Sequence, residues 1–226
     1  MDVVPVSSPF PQDDSLHFVG SYSSWAPGLY NTDAGGGEFS AFPRLRRVGV
    51  GIVRLEWGDG PLPVLALAAW GAIVGNIQTV VRGELLAILQ VLRNVCVGHF
   101  VVRTDSEVNQ LLFLKMLADP IAFSPDSNKD LWDEVRLKHA AFVSAGVSFM
   151  VEWIKGHATG THIAKGLMES ADVWGNYAAD ALAVHAAEHY EVLLSDSLSY
   201  TWFLNATRRV QARLVAISKE FGKDWQ

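Results

Sequence analysis

The apolar period of this chain changes at about Thr79, and that change constrains the fold class more than any other feature. Before it, residues 47–55 (Arg-Val-Gly-Val-Gly-Ile-Val-Arg-Leu) and 64–70 are short β-type runs, joined through the turn-forming stretch Gly58-Asp59-Gly60-Pro61. After it, Leu85, Ile88, Leu89 and Leu92 recur at the spacing of one helical face. His99-Phe100-Val101-Val102-Arg103 returns to a β-type run. Val147, Phe149, Val151 and Trp153 alternate with Ser148, Met150 and Glu152, the period of two that marks a strand.

Helices are expected from Thr79, after Asp105 to about Met116, from Lys129 to Ser144 and from Ala171 to His189. A last one carries Phe203, Val210, Leu214, Ile217 and Phe221. A first short strand ends near Asp33, before Gly35-Gly36-Gly37, and residues 38–46 and 118–127 read as loops. Strands and helices in this order predict an α/β fold with a hairpin-containing mixed sheet. Residues 1–28, rich in Ser, Pro and Asp without clean periodicity, read as a loosely packed leader, 29–190 as the main domain and 191–226 as a helical extension.

Composition narrows the classes. With 226 residues, half of them hydrophobic, the chain can bury a full core. No apolar run reaches the roughly 18 residues of a membrane span, and Leu62 to Val74 reads as a buried strand. Met1-Asp2-Val3-Val4-Pro5 lacks the basic start and apolar core of a secretory signal, so an intracellular location is expected, nuclear or cytoplasmic being undecided. The single cysteine, Cys96, excludes an internal disulfide and reads as a buried thiol. A net charge of −6 argues against tight autonomous binding to nucleic acid, but not against a metal-dependent nuclease with an acidic site.

Four separated acids attract attention. Asp33 follows one strand and Asp105 ends another, Glu84 opens a helix and Asp180 lies inside one. Singly, each has a bland reading as a turn former or a helix-dipole partner. If the helices pack over the strand ends, all four converge, at a cost in like-charge repulsion that divalent cations remove.

The local words around these acids resemble those of type 1 ribonucleases H, closest to the form attached to retrotransposon reverse transcriptases. The words are Tyr30-Asn31-Thr32-Asp33-Ala34-Gly35-Gly36, Arg82-Gly83-Glu84-Leu85, Arg103-Thr104-Asp105-Ser106, Trp153-Ile154-Lys155-Gly156-His157 and Gly175-Asn176-Tyr177-Ala178-Ala179-Asp180-Ala181-Leu182-Ala183. They occur in the family's order between Leu29 and Ala183. The resemblance implies a ribonuclease H-like fold, a five-stranded mixed sheet flanked by helices, here with an extra C-terminal helix.

It also implies an endonuclease hydrolysing the RNA strand of RNA–DNA hybrids, leaving 5′-phosphate and 3′-hydroxyl ends. Asp33, Glu84, Asp105 and Asp180 are then the ligands of two Mg²⁺ ions, with Mn²⁺ as a substitute, and His157 assists proton transfer or product departure. Thr79, Arg82, Ser106, Lys155 and Asn176 are expected to touch the substrate, and a reverse transcriptase or other polyprotein domain is an expected companion.

The chain departs from the family pattern at Ala34, where glycine is usual, and at Val80 and Val81, where cellular members carry asparagines. Few cations lie between Asp105 and Asp130, so the basic protrusion of some bacterial members is missing, and 23 positions separate His157 from Asp180, more than in compact members. Small basic groups stand at Arg44, Arg46 and Arg47 and at Arg208, Arg209 and Arg213; Trp132 and Trp174 suit either stacking or the core. Two rival readings remain: a zinc hydrolase on His185-Ala186-Ala187-Glu188-His189, and a catalytically weak scaffold or nucleic-acid-binding module of a retroelement polyprotein.

Overall fold

Strand β2 (Leu29–Gly35) is buried along nearly its whole length and has a neighbour on each side. The computed structural model describes residues 8–57 and 63–221, so the turn expected at Gly58-Asp59-Gly60-Pro61 lies outside the described residues. On one side of β2 lies β3 (Gly49–Trp57), antiparallel, itself paired antiparallel with β4 (Pro63–Ala72). On the other side β5 (His99–Thr104) runs parallel to β2, and β6 (Ser148–Trp153) parallel to β5.

A sixth strand, β1 (His17–Ser23), pairs antiparallel with β4, giving the order β1-β4-β3-β2-β5-β6. The sequence leads to five strands because every residue of β1 is exposed, and an edge strand without a buried face leaves no alternation to read. Its register also shifts between Phe18 and Ser23, around Gly20 at φ 56°. This strand stands in the stretch expected to be a loosely packed leader.

The two faces of the sheet are covered differently. Tyr30, Ala34, Val50, Ile52, Phe100 and Val102 meet α1 (Val80–Asn94), α2 (Glu107–Ala118) and α3 (Lys129–Ala145) in one large core, with Trp132 inside it. Thr79 caps α1, its hydroxyl accepting from the Arg82 N–H at 3.3 Å.

The opposite face carries α5 (Ser170–His189), which follows the short α4 (Gly160–Ala164). A Cβ at Gly49 or Gly51 would clash with the backbone of Ala183 or Ala179, so glycine on β3 and alanine on α5 let helix and sheet approach closely. Arg103 of β5 fixes the start of that helix by an ion pair with buried Asp172, and reaches Glu152 at 3.3 Å.

Residues Phe10–Glu191 form one compact unit. In the other, α6 (Leu194–Phe221) follows Val192, and Ser8 binds Asp196 through its hydroxyl and N–H at 2.8 and 2.9 Å.

Three expectations need correction. Cys96 is exposed, because it lies in the turn after α1 and not in a strand or helix face. Arg47 is not part of a surface basic group: it is buried, donates to the carbonyls of Arg44, Leu45 and Arg46, and lies over the Phe10 ring. The histidines of the zinc word, His185 and His189, pack against Trp70 and join no acid cluster among the described residues.

Candidate active site

The parallel register of β2 and β5 builds the centre of the site. Thr32 pairs with Thr104, so the next residues stand side by side: Asp33, still within β2, and Asp105, just past the end of β5. Glu84 comes from the second turn of α1, on the same edge. One carboxylate oxygen from each of Asp33, Glu84 and Asp105 lies within 4.8 Å of the others. Asp180, on α5, stands outside that tight set but close enough for its charge to bear on Asp33 and Asp105.

The electrostatics are those of crowded acids whose hydrogen bonds and one nearby histidine only partly offset burial and mutual repulsion. Burial, then the charge of Asp105, pushes the Asp33 carboxyl up to about 8; Asp180 and Glu84 add to it, against a hydrogen bond from the Ala34 N–H at 2.6 Å. Burial also raises Glu84 and Asp105. The Ser106 hydroxyl opposes the rise at Glu84, and nearby His157 opposes it at Asp105.

One further observation points to a missing positive partner. The Oδ1 of Asp105 is buried with no hydrogen-bond donor. A buried carboxylate oxygen without a donor is costly. Three convergent hard oxygen donors with one left unpaired fit a divalent cation of the Mg²⁺ kind, which takes carboxylates and keeps water.

The surroundings hold these acids in place. Trp153 Nε1–H donates to the Asp105 carbonyl at 3.1 Å, and Gly156 lies so close to the Asp105 carboxylate that a Cβ there would strike it. His157 follows at φ 50°, exposed on the loop.

Among the residues expected to touch substrate, Ser106 and Asn176 are buried and Lys155 is exposed. Thr79 is engaged as a helix cap, and Arg82 is held by Asp130 through two contacts of 2.5 and 2.8 Å. Of the two undecided tryptophans, Trp132 is core and Trp174 is exposed.

Asn109, which no sequence motif marks, also belongs to the site. Its buried amide donates to the Val81 carbonyl and Ser106 hydroxyl, both at 3.0 Å, and approaches Glu84 at 3.4 Å. The sequence carries no pattern for it beyond its place, four residues after Asp105 and within the first turn of α2.

Strand order, strand directions and an acidic edge beside the parallel pair define a ribonuclease H-like fold. Solved structures agree with it. The protease–reverse transcriptase of prototype foamy virus matches 70% of this chain at 19% identity and a TM-score of 0.50. A mutant of the same protein matches 82% at 18% identity and a TM-score of 0.51. The ribonuclease H domain of that virus in solution matches 71% of this chain and 93% of its own length, at 16% identity and a TM-score of 0.48. The chain spans about one fifth of the foamy virus protease–reverse transcriptase, 20% and 23% in the two structures. At these identities the likeness is one of fold. No family model matches the chain. No curated protein matches it either. No described helix is long and apolar enough to cross a membrane.

Proposed function

We propose that the chain is a divalent-cation-dependent endonuclease that hydrolyses the RNA strand of RNA–DNA hybrids, leaving 5′-phosphate and 3′-hydroxyl ends. The observation that carries this reading is the meeting of Asp33, Glu84 and Asp105 on one sheet edge with Asp105 Oδ1 unpartnered. On this reading these three acids, with Asp180 from the overlying helix, hold two Mg²⁺ ions, or Mn²⁺ in their place. Such a pair activates water and stabilises the leaving oxygen of an in-line displacement at phosphorus.

The residues of the chain do the rest. Asp33 gives up its proton when the site is loaded, since a protonated carboxyl is a poor ligand. Asn109 and Ser106 orient Glu84. His157, exposed beside Asp105, relays a proton at the departing end. Exposed Lys155 meets the substrate backbone, with Thr79, Arg82, Ser106 and Asn176 bordering it. Selection for RNA rests on the 2′-hydroxyl, the group that distinguishes the two strands. A retroelement setting, with a reverse transcriptase as companion domain, is supported by the likeness to one part of the foamy virus protein.

The test is a hybrid labelled on either strand, incubated with the purified protein and Mg²⁺. The RNA strand should be cut, duplex DNA should not, and Asp33→Asn and Asp105→Asn should each abolish cutting while remaining folded. Undiminished cutting by both variants, or equal cutting of duplex DNA, would refute the assignment.

A further inference from the structure

Beyond the acid cluster, the segment between His157 and α5 builds a second feature. It closes a cavity of about 460 Å³ lined by Trp153, Lys155, Thr161, His162, Lys165, Leu167 and Met168. Among the described residues that line it there is no carboxylate. Three other surface cavities each carry at least one: Asp119 and Asp126, Asp14, or Glu38 with Glu188 and Glu191. In a chain of net charge −6, a cavity lined by two lysines and no acid is a locally basic lining.

The donors there are free to bind. Among the described residues neither Lys155 nor Lys165 makes an ion pair. His162 Nδ1 accepts from the Thr159 N–H at 3.1 Å, which assigns the ring proton to Nε2 and leaves it a donor. Trp153 is the wall shared with the acid cluster. Its Nε1–H is fixed on the Asp105 carbonyl, so the half-exposed indole presents a held apolar face beside the lysines. Point cations beside an aromatic face are the chemistry that holds a nucleic-acid strand, phosphate on the cations and base on the ring.

We propose that this cavity is a subsite for the substrate strand beyond the bond being cut: one phosphodiester lies between Lys155 and Lys165, with Nε2–H of His162 as a further donor and the adjoining base against Trp153. The proposal rests on the nuclease reading above, and extends it to how a chain without a basic protrusion grips its substrate. On this proposal Lys155 and Lys165 supply cations that the stretch between Asp105 and Asp130 lacks.

Hybrid binding is measured by fluorescence anisotropy in the full-length Asp33→Asn background with Mg²⁺, where turnover plays no part. Lys165→Gln is compared with Lys115→Gln, which removes the same charge from the exposed end of α2. Lys165→Gln should weaken binding severalfold and lower the slope of log K against log salt by about 1, the signature of one lost phosphate contact. Lys115→Gln should match its parent. Equal binding by both variants overturns the subsite, even if the wild-type protein cuts the hybrid. Competition by inorganic phosphate at the same concentrations as the hybrid also overturns it, since the site then holds a free anion. Weakened binding by Lys165→Gln alone, in a protein whose wild-type form cuts nothing, would sustain the subsite and remove the hydrolytic reading.

Discussion

Asp33 and Asp105 are neighbours by register: Thr32 and Thr104 are the last pair of the parallel ladder between β2 and β5, and each aspartate is the next residue, Asp33 still paired with Gly51 of β3 and Asp105 just past the end of β5. A one-residue slip would turn Asp33 to the face where Ala34 now packs on α1, so the hydrophobic pattern that fixes the register also fixes the site.

That adjacency gives Asp33 its proton affinity and yields a pH dependence of stability. An unfolded Asp ionises near 3.8, whereas burial and the neighbouring acids push the folded Asp33 carboxyl up to about 8. Between these values the folded state binds the extra proton. The contribution is therefore fully present below about pH 4 and is lost as pH rises through 8, with a slope of at most about 1.4 kcal/mol per pH unit. Urea unfolding without divalent cations should show stability falling from about pH 5 to 8. Asp33→Asn should flatten this slope, leaving the smaller part that Glu84 and Asp105 contribute, and should exceed its parent in stability at the upper end. Parallel pH profiles for the two proteins would contradict the shift.

The same proton competes with the cation. Loading the site at neutral pH displaces it, so Mg²⁺ affinity should rise with pH, by up to about tenfold per unit for one displaced proton. Thermal-shift titrations with Mg²⁺ at pH 6 and 7.5 read this directly. Asp33→Asn should bind more weakly and with a flatter dependence; identical affinity at both pH values in the parent would argue that Asp33 is not a ligand.

Much of this was legible in the sequence, for physical reasons. The α/β order, the hairpin and the placement of Asp33, Glu84 and Asp105 follow from periodicity at buried elements, where one face must be apolar. What periodicity cannot see is a strand with no buried face, hence β1, or a charged side chain buried by its own local carbonyls, hence Arg47. Asn109 stayed hidden because its importance lies in one amide reaching three partners across two helices, and a lone asparagine in a helix leaves no pattern.

Asn109 therefore offers an independent check on the site. Asn109→Ala removes a donor from Glu84, Ser106 and the Val81 carbonyl without touching an acid. Losing a partner that orients a metal ligand typically costs about 10–100-fold in affinity or activity. Hybrid cleavage should fall by that order, with the largest part in the Mg²⁺ concentration required, while the protein stays folded. A variant with unchanged Mg²⁺ dependence would show that Glu84 needs no such support.

The departure at Ala34 has a structural counterpart in Gly83. A Cβ on Gly83 would lie 2.8 Å from the Ala34 Cβ and 2.5 Å from Val48 Cγ1. The methyl beside the first acid thus occupies room that a glycine inside α1 leaves open, although glycine there costs the helix about 0.5–1 kcal/mol. Gly83→Ala should destabilise by about 1–3 kcal/mol through overpacking, and should reduce cleavage because Glu84 is the next residue. Ala34→Gly on that background should recover part of the loss, with Val48 accounting for the remainder. A double-mutant cycle on urea unfolding measures the coupling, expected in the range of about 0.5–3 kcal/mol for residues in contact. Additive effects of the two substitutions would mean that the space is not shared, and that the alanine after Asp33 is accommodated by Gly35 instead.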